Sequence, residues 1–326
     1  MTLDMLDLDL GIYEELDLVE EQIRERIDCG ISTINEVARH VIDAGGKRIR
    51  PGLFLLSFKA LRGEDISKVA PLAAAFELIH TGTILHDDIN DGSILRHGKL
   101  TAHQKFGTTN SLVTGDYLFA KAFEIGSEYK KEIRDVILDA SIGLAVGEII
   151  QSQNIMNIDL TEKKYLDIIE KKTAGPISAS AKAGGIMAGG TGSQIKILAD
   201  FGLNMGIAFQ IMDDILDVIG INTKTGKSVG KDISEGKLTI LSIHALKHAS
   251  PLQRERLKEV LLKTDNTNQG VSEAIDIIKN TQSVDFARNM GKKYADIAIG
   301  SIDNLPDSKW KSKLKYLAEF TIGRNY

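Results

Sequence analysis

Two aspartate-rich pentads share one pattern, Asp87-Asp88-Ile89-Asn90-Asp91 and, more than a hundred residues later, Asp213-Asp214-Ile215-Leu216-Asp217. On a helix, residues four apart share a face, so Asp87 projects with Asp91 and Asp213 with Asp217. Like charges at that spacing repel, and partly buried carboxylates lose hydration, so each cluster needs a cation to offset it. Oxygen-only donors suit a hard ion such as Mg²⁺, held by one or two carboxylates, several waters and substrate phosphate oxygens. A solvated acidic helix face can produce such a string once. Two copies, each preceded by an apolar run (76–85 and 207–212), favour a metal-diphosphate site.

Other residues fit that chemistry. At 100° per residue Ile84, Asp87 and Asp91 lie within about 40° of His80, so His80 lines the same wall a turn or two deeper. Upstream, Gly45-Gly46-Lys47-Arg48-Ile49-Arg50-Pro51 joins three cations to a flexible turn, suited to charge-assisted and bidentate phosphate contacts. Read alone, it is equally a basic loop on a solvated surface. Lys172-Thr173 adds a cation, and the glycine-punctuated stretch 225–237, with Lys227, Lys231 and Lys237, could close over an anion as a lid. The glycine-rich run 184–192 lacks both the Gly-Lys-Ser/Thr ending and a preceding strand, so helix ends and close packing explain it better than a phosphate loop.

The elements that must position these residues are helical. Apolar residues recur at helical spacing almost everywhere, proline occurs only 5 times, and alternating runs with hairpin turns are hard to find. The pattern predicts an all-α chain with helices at 17–43, 50–62, 66–91, 108–128, 131–155, 161–173, 176–188, 194–220, 237–248, 251–263, 269–280, 283–303 and 308–321. Breaks are expected at Gly45-Gly46, Pro51, Gly63, Pro71, Gly175-Pro176 and Gly189-Gly190. The 326 residues, 43% apolar, show no linker, so a single helical domain over 1–326 is expected. A net charge of -5 with dispersed cations argues against nucleic-acid binding. Cys29 is the one cysteine, which excludes an intramolecular disulfide and a thiolate metal cage. With no cationic leader and no 18-residue apolar run, the expectation is a soluble cytoplasmic protein without a transmembrane segment.

The chain resembles the trans-isoprenyl diphosphate synthases, or polyprenyl synthetases. The resemblance rests on ordered blocks: Gly-Lys-Arg-x-Arg-Pro at 46–51, Glu77-Leu78-Ile79-His80 leading to His86-Asp87-Asp88, Arg96 with Gly98, and Gly115-Asp116-Tyr117-Leu118. It continues through Lys172-Thr173-Ala174, Phe209-Gln210 before Asp213-Asp214, and Gly226-Lys227 to Gly236-Lys237. It implies an isoprenoid synthase-type helical bundle around a deep central cavity, a homodimer, and Mg²⁺-dependent condensation of isopentenyl diphosphate with an allylic prenyl diphosphate.

By the same resemblance, Asp87, Asp88, Asp91, Asp213, Asp214 and Asp217 hold the metal, three ions with substrate bound. Arg96, Lys172, Lys227 and Lys237 hold the allylic diphosphate, and Lys47, Arg50 and His80 grip isopentenyl diphosphate with Thr173, Phe209 and Gln210 nearby. Where relatives commonly carry two arginines before glycine, this chain has Arg96-His97-Gly98, so one isopentenyl diphosphate contact becomes a titratable imidazole. Gln151 stands where some relatives have an aspartate. Gly82 and Thr83, about 6–7.5 Å along the helix from Asp87, are not bulky. The expected product is therefore geranylgeranyl diphosphate or longer, with Ile79 among the residues that could set the limit. Two rival readings are a related terpene synthase, which has no second diphosphate to grip, and a catalytically weak regulatory subunit.

Overall fold

Local chemistry decides where the helices begin and end. The computed structural model describes residues 9–96, 98–220, 229–265 and 267–323. Helices α1 (Tyr13–Ile27), α2 (Ser32–Ile42), α3 (Ile49–Ala60) and α4 (Ala70–Asn90) lead to a short hairpin of β1 (Leu95–Arg96) and β2 (Lys99–Leu100). Next come α5 (Ala102–Phe106), α6 (Thr108–Ser127), α7 (Lys131–Gln153) and α8 (Glu162–Ile169). A π-helical turn, Glu170–Ala174, joins α8 to α9 (Gly175–Met187), and α10 spans Gly192–Ile219. The rest is α11 (Lys231–Glu235), α12 (Ile240–His248), α13 (Pro251–Leu261), α14 (Asn268–Asn280), α15 (Ser283–Ser301) and α16 (Lys309–Ile322), with a 3₁₀ turn at Ile302–Asn304.

The all-α expectation holds, with four instructive departures. The helix expected over 17–43 is two, because Gly30 takes a positive φ of 74° and the Asp28 carboxylate accepts from the Gly30 amide at 3.2 Å and from Asn35 at 2.7 Å. The expected break at Gly175-Pro176 is absent. Proline lacks an N–H and crowds the carbonyl four residues back, and here the chain widens into the π turn, with the Gly175 amide donating to Glu170 five residues earlier. The hairpin, pairing Leu95 with Leu100 and Arg96 with Lys99, was not expected, and Gly98 at φ 74° makes its turn. Finally, α10 does contain an 18-residue window with a mean hydropathy of 1.3, long and apolar enough to cross a membrane, but half of that window is buried inside the protein.

The chain divides into two compact units. The first comprises residues 1–141, 176–202 and 301–317, and the second 142–175, 203–300 and 318–326. Their boundaries fall inside α7 and α10 rather than in linkers. In the first unit, Leu53, Phe54 and Leu56 of α3, Leu72, Leu78 and Leu85 of α4, and Leu118 of α6 are fully or almost fully buried. Gly82 lets α4 approach α6, since a Cβ there would meet the Gly115 carbonyl and the Phe119 ring at 3.1 Å. Gly184 on α9 likewise lies directly against the Phe54 carbonyl, the packing role expected for that glycine run. The second unit has its own core, drawn from Tyr165 and Ile168 of α8, Ile207, Ile211 and Ile215 of α10, Leu241 of α12, Leu257 of α13 and Ile278 of α14.

Candidate functional site

In the first unit the candidate residues gather on one face of α4. Most of this helix is buried, but His80, Thr83, Ile84, Asp87 and Asp91 are half-buried, a stripe at helical spacing that the core does not cover. Ile79 and Gly82 point into packing instead. The space beside Gly82 is filled by α6, so this residue brings two helices together and leaves no room for a growing chain. The Thr83 hydroxyl donates to the His80 carbonyl at 2.7 Å.

Asp88 is 2% exposed and is met by a guanidinium. Arg96 reaches it from β1 with Nε at 2.9 Å and Nη2 at 2.8 Å from the same carboxylate oxygen. The turn between α2 and α3 supplies Lys47 and Arg48, and the first turn of α3 supplies Arg50. Burial pulls the Arg50 guanidinium below its ordinary value, while the carboxylates of Glu77 and Asp87 pull the other way. Burial, then the charges of Arg50, Arg96 and Arg48, hold the His80 imidazole well below its usual range. His80 therefore enters this cation-rich neighbourhood as a neutral ring with one donor and one acceptor. Arg48 departs from the phosphate-holding role expected of the turn. It is 8% exposed and faces inward to Glu20, Glu77 and the Ile42 carbonyl.

In the second unit the residues meet through hydrogen bonds. Asp213 and Asp217 are half-buried on α10, and Asp214 is buried. Tyr165 donates to Asp214 Oδ2 at 2.7 Å and Gln210 Nε2 to Oδ1 at 2.8 Å, while Thr173 donates to Gln210 Oε1 at 2.9 Å. Burial, then the charge of Asp232, pushes the Asp214 carboxyl well above the ordinary carboxylate range, with Asp213 adding to the effect. Asp217 accepts from the amides of Lys231 and Asp232 at 3.1 Å each, fastening the start of α11 to α10. Phe209 is half-buried beside Gln210.

The π turn places Lys172 against α7. A Cβ on Gly147 would lie 2.7 Å from the Lys172 amide nitrogen, so only glycine permits this approach. The ammonium then sits 2.5 Å from Glu148 and 2.8 Å from Gln151 Oε1. Lys237 pairs with Glu235 at 2.8 Å. A cavity of about 60 Å³ is lined by Gln151, Tyr165, Gln210, Asp214, Asp232 and Lys237, among others. At about 10–15 Å³ per water it has room for a few waters and none for a prenyl chain. His97 and Lys227 lie outside the described residues.

Among the described residues no three His, Cys, Asp or Glu side chains converge as a ready cation cage. The donor set nonetheless fits a hard cation that needs few carboxylates and completes its shell with water and phosphate. Asp87, Asp91, Asp213 and Asp217 supply oxygen at half-buried positions, and Asp88 and Asp214 are turned toward protein donors.

In the sequence Glu77 stood only within a family block and was given no role, and neither Glu148 nor Tyr165 was singled out. Glu77 carried a signal, since a carboxylate inside the apolar run 76–85 must find a buried partner. Glu148 and Tyr165 gave none, because their partners are distant in sequence.

The polyprenyl synthetase family model matches residues 31–278. The chain is 38% identical to the short chain isoprenyl diphosphate synthase of Methanothermobacter thermautotrophicus, covering 99% of this chain and 100% of that protein. It is 33% identical to the octaprenyl diphosphate synthase of Haemophilus influenzae, covering 96% and 94%. Its fold matches the crystal structure of a polyprenyl synthase from Caulobacter crescentus, complexed with calcium and isoprenyl diphosphate. That match has a TM-score of 0.93 and 34% identity over 96% of this chain and 95% of the other.

Proposed function

The chain belongs to the polyprenyl synthetase family and is a trans-prenyltransferase that condenses isopentenyl diphosphate with an allylic diphosphate, and from that premise we propose which residues do each part of the work. Arg50 and His80, with Lys47 in the same turn, hold isopentenyl diphosphate. Arg96, Lys172, Lys227 and Lys237 offset the charge of the departing allylic diphosphate, and Thr173, Phe209 and Gln210 line its surroundings. The observation that carries this reading is the meeting of Arg50, His80 and Asp87 in one unit: His80 and Asp87 share one stripe of α4, the Asp87 charge acts on Arg50, and the Arg50 charge acts on the neutral His80 ring. A cyclising relative has no second diphosphate for such a cradle.

We assign Asp87, Asp88, Asp91, Asp213, Asp214 and Asp217 to divalent cations, Mg²⁺ in the cell and three with substrate bound. The calcium in the Caulobacter crescentus structure supports this class of ion. When bound, Mg²⁺ supplies Lewis-acid stabilisation of the diphosphate as the allylic C–O bond ionises. The lysines and arginines contribute fixed positive charge where negative charge develops. Neutral His80 can donate one hydrogen bond to isopentenyl diphosphate without changing its charge. The released diphosphate accepts the proton in the final elimination.

The proposed product is geranylgeranyl diphosphate or longer. Residue 83 carries no aromatic side chain, and Thr83 is half-buried on the same stripe as Asp87. Thr83→Phe should shorten the product, and an unchanged product would remove Thr83 from length control. The proposal extends to one functional domain over 1–326, a cytoplasmic location and a homodimer. Leu138, Ile142, Val146 and Ile149 support dimerisation: they recur at helical spacing on α7 and are 43–62% exposed. Purified protein should incorporate labelled isopentenyl diphosphate into a longer diphosphate only with both an allylic primer and Mg²⁺. No incorporation with any primer from dimethylallyl to farnesyl diphosphate would overturn the reading.

A further inference from the structure

Within the turn 45–51, Arg48 differs from its neighbours in both backbone and side chain. Its φ of 47° and ψ of 39° are left-handed, a conformation that is strained for a non-glycine residue and persists only where surroundings over-determine it. Here three partners do so. Nη1 donates to Glu77 Oε1 on α4 at 2.9 Å, Nη2 donates to the Ile42 carbonyl at the end of α2 at 3.1 Å, and Nε donates to Glu20 on α1. One guanidinium thus ties three helices to the residue that starts α3.

Glu77 lies three residues before His80, on the same side of α4, and its charge also acts on Arg50. The strut therefore ends beside the two groups assigned to isopentenyl diphosphate. A buried ionic network is a weak source of stability, because desolvation offsets much of the attraction, but its directional bonds hold geometry. Arg48 itself cannot reach a ligand, since all three guanidinium nitrogens face protein and the residue is 8% exposed.

Resting on the condensation reading above, we propose that Arg48 is a positioning residue. Its buried three-way contact with Glu77, Glu20 and Ile42 locks Arg48 in its left-handed conformation at the start of α3 and so sets Arg50 against His80 for isopentenyl diphosphate. Lysine cannot reproduce the contact, because a single ammonium lacks the planar fork that reaches three helices. The allylic diphosphate is held by other residues and should be little affected.

The test is steady-state kinetics with each substrate varied in turn, alongside thermal unfolding, for wild type, Arg48→Lys and the double variant Arg48→Gln/Glu77→Gln. Misplacing a binding group by about 1 Å can cost as much as 10²-fold. Arg48→Lys should therefore raise the KM for isopentenyl diphosphate about tenfold, with kcat and the allylic KM within about twofold of wild type. The double variant removes both buried charges together, so its unfolding midpoint should stay closer to wild type while the isopentenyl diphosphate KM remains raised. That variant also answers for a lysine variant that does not fold. An isopentenyl diphosphate KM at the wild-type value in either variant would overturn the proposal. So would parallel losses in kcat, both KM values and the midpoint, which mark a merely structural residue. A wild-type protein that incorporates no isopentenyl diphosphate removes the condensation reading itself, and the inference with it.

Discussion

In the first pentad the buried carboxylate, Asp88, meets a guanidinium, with Arg96 2.8 Å away. In the second, Asp214 meets the neutral donors Tyr165 and Gln210. The neighbourhoods differ in the same sense. Burial is the larger cause in both, lowering the basicity of His80 with the charges of Arg50, Arg96 and Arg48 adding to it in the first unit, and raising the Asp214 carboxyl with Asp232 and Asp213 adding to it in the second. One surround is cationic and keeps a base neutral. The other is anionic and, together with burial, favours the protonated acid, a preference that a bound divalent ion would reverse. Equal spacing in the sequence therefore does not mean equal electrostatics.

The largest expected effect is common to both pentads. Asp87→Ala and Asp213→Ala should each reduce kcat by about 10²- to 10³-fold, with helical circular dichroism unchanged and EDTA reproducing the loss in wild type. Either variant retaining more than half the wild-type turnover would remove that pentad from the metal assignment.

The buried members should separate the regions. Asp88→Asn leaves Arg96 without its counter-charge and should cost about 3 kcal/mol of stability. Asp214→Asn should cost little near pH 7 or even stabilise, with the Gln210 amide turned over. The folded Asp214 carboxyl keeps its proton at pH values where the unfolded chain, near 3.8, has lost it. Its contribution therefore falls as pH rises from about 4 toward the raised folded value. Denaturant midpoints that drop equally for the two variants would erase the contrast.

A pH series sharpens it from the other side. Folded His80 resists protonation, whereas the unfolded ring takes a proton near 6.5. As pH falls below about 6.5 the first unit should lose up to about 1.4 kcal/mol per pH unit from this residue. His80→Gln should flatten that slope, and an unchanged slope would place the proton elsewhere. The smallest effect is expected for Tyr165→Phe, which removes one hydrogen bond and should cost about 1 kcal/mol, read as a shifted urea midpoint.

Much of this arrangement was legible before the fold was known. Helical spacing identified α4 and α10 nearly to their ends because both have long apolar bodies, and it placed His80, Asp87 and Asp91 along one stripe. The turn at 45–51 was legible as a cation source but not in its detail. Nothing in the order Lys47-Arg48-Ile49-Arg50 says that the first arginine turns inward, because that choice depends on Glu20 and Glu77, distant in sequence. The Gly175-Pro176 pair shows the opposite error. Proline rules suggested a break, yet the chain continues through a π turn that presents Lys172 to Glu148 and Gln151.

The sequence by itself determined the residue types, the helical periods and the two carboxylate clusters, since these follow from local spacing and the chemistry of each side chain. Tertiary structure alone decided which charge each cluster meets. It paired Arg96 of β1 with Asp88 of α4, brought Tyr165 of α8 to Asp214 of α10, and buried Arg48 among three helices. Burial and long-range proximity, which set the cost of a charge and the identity of its partner, arise only when segments far apart in the chain pack together.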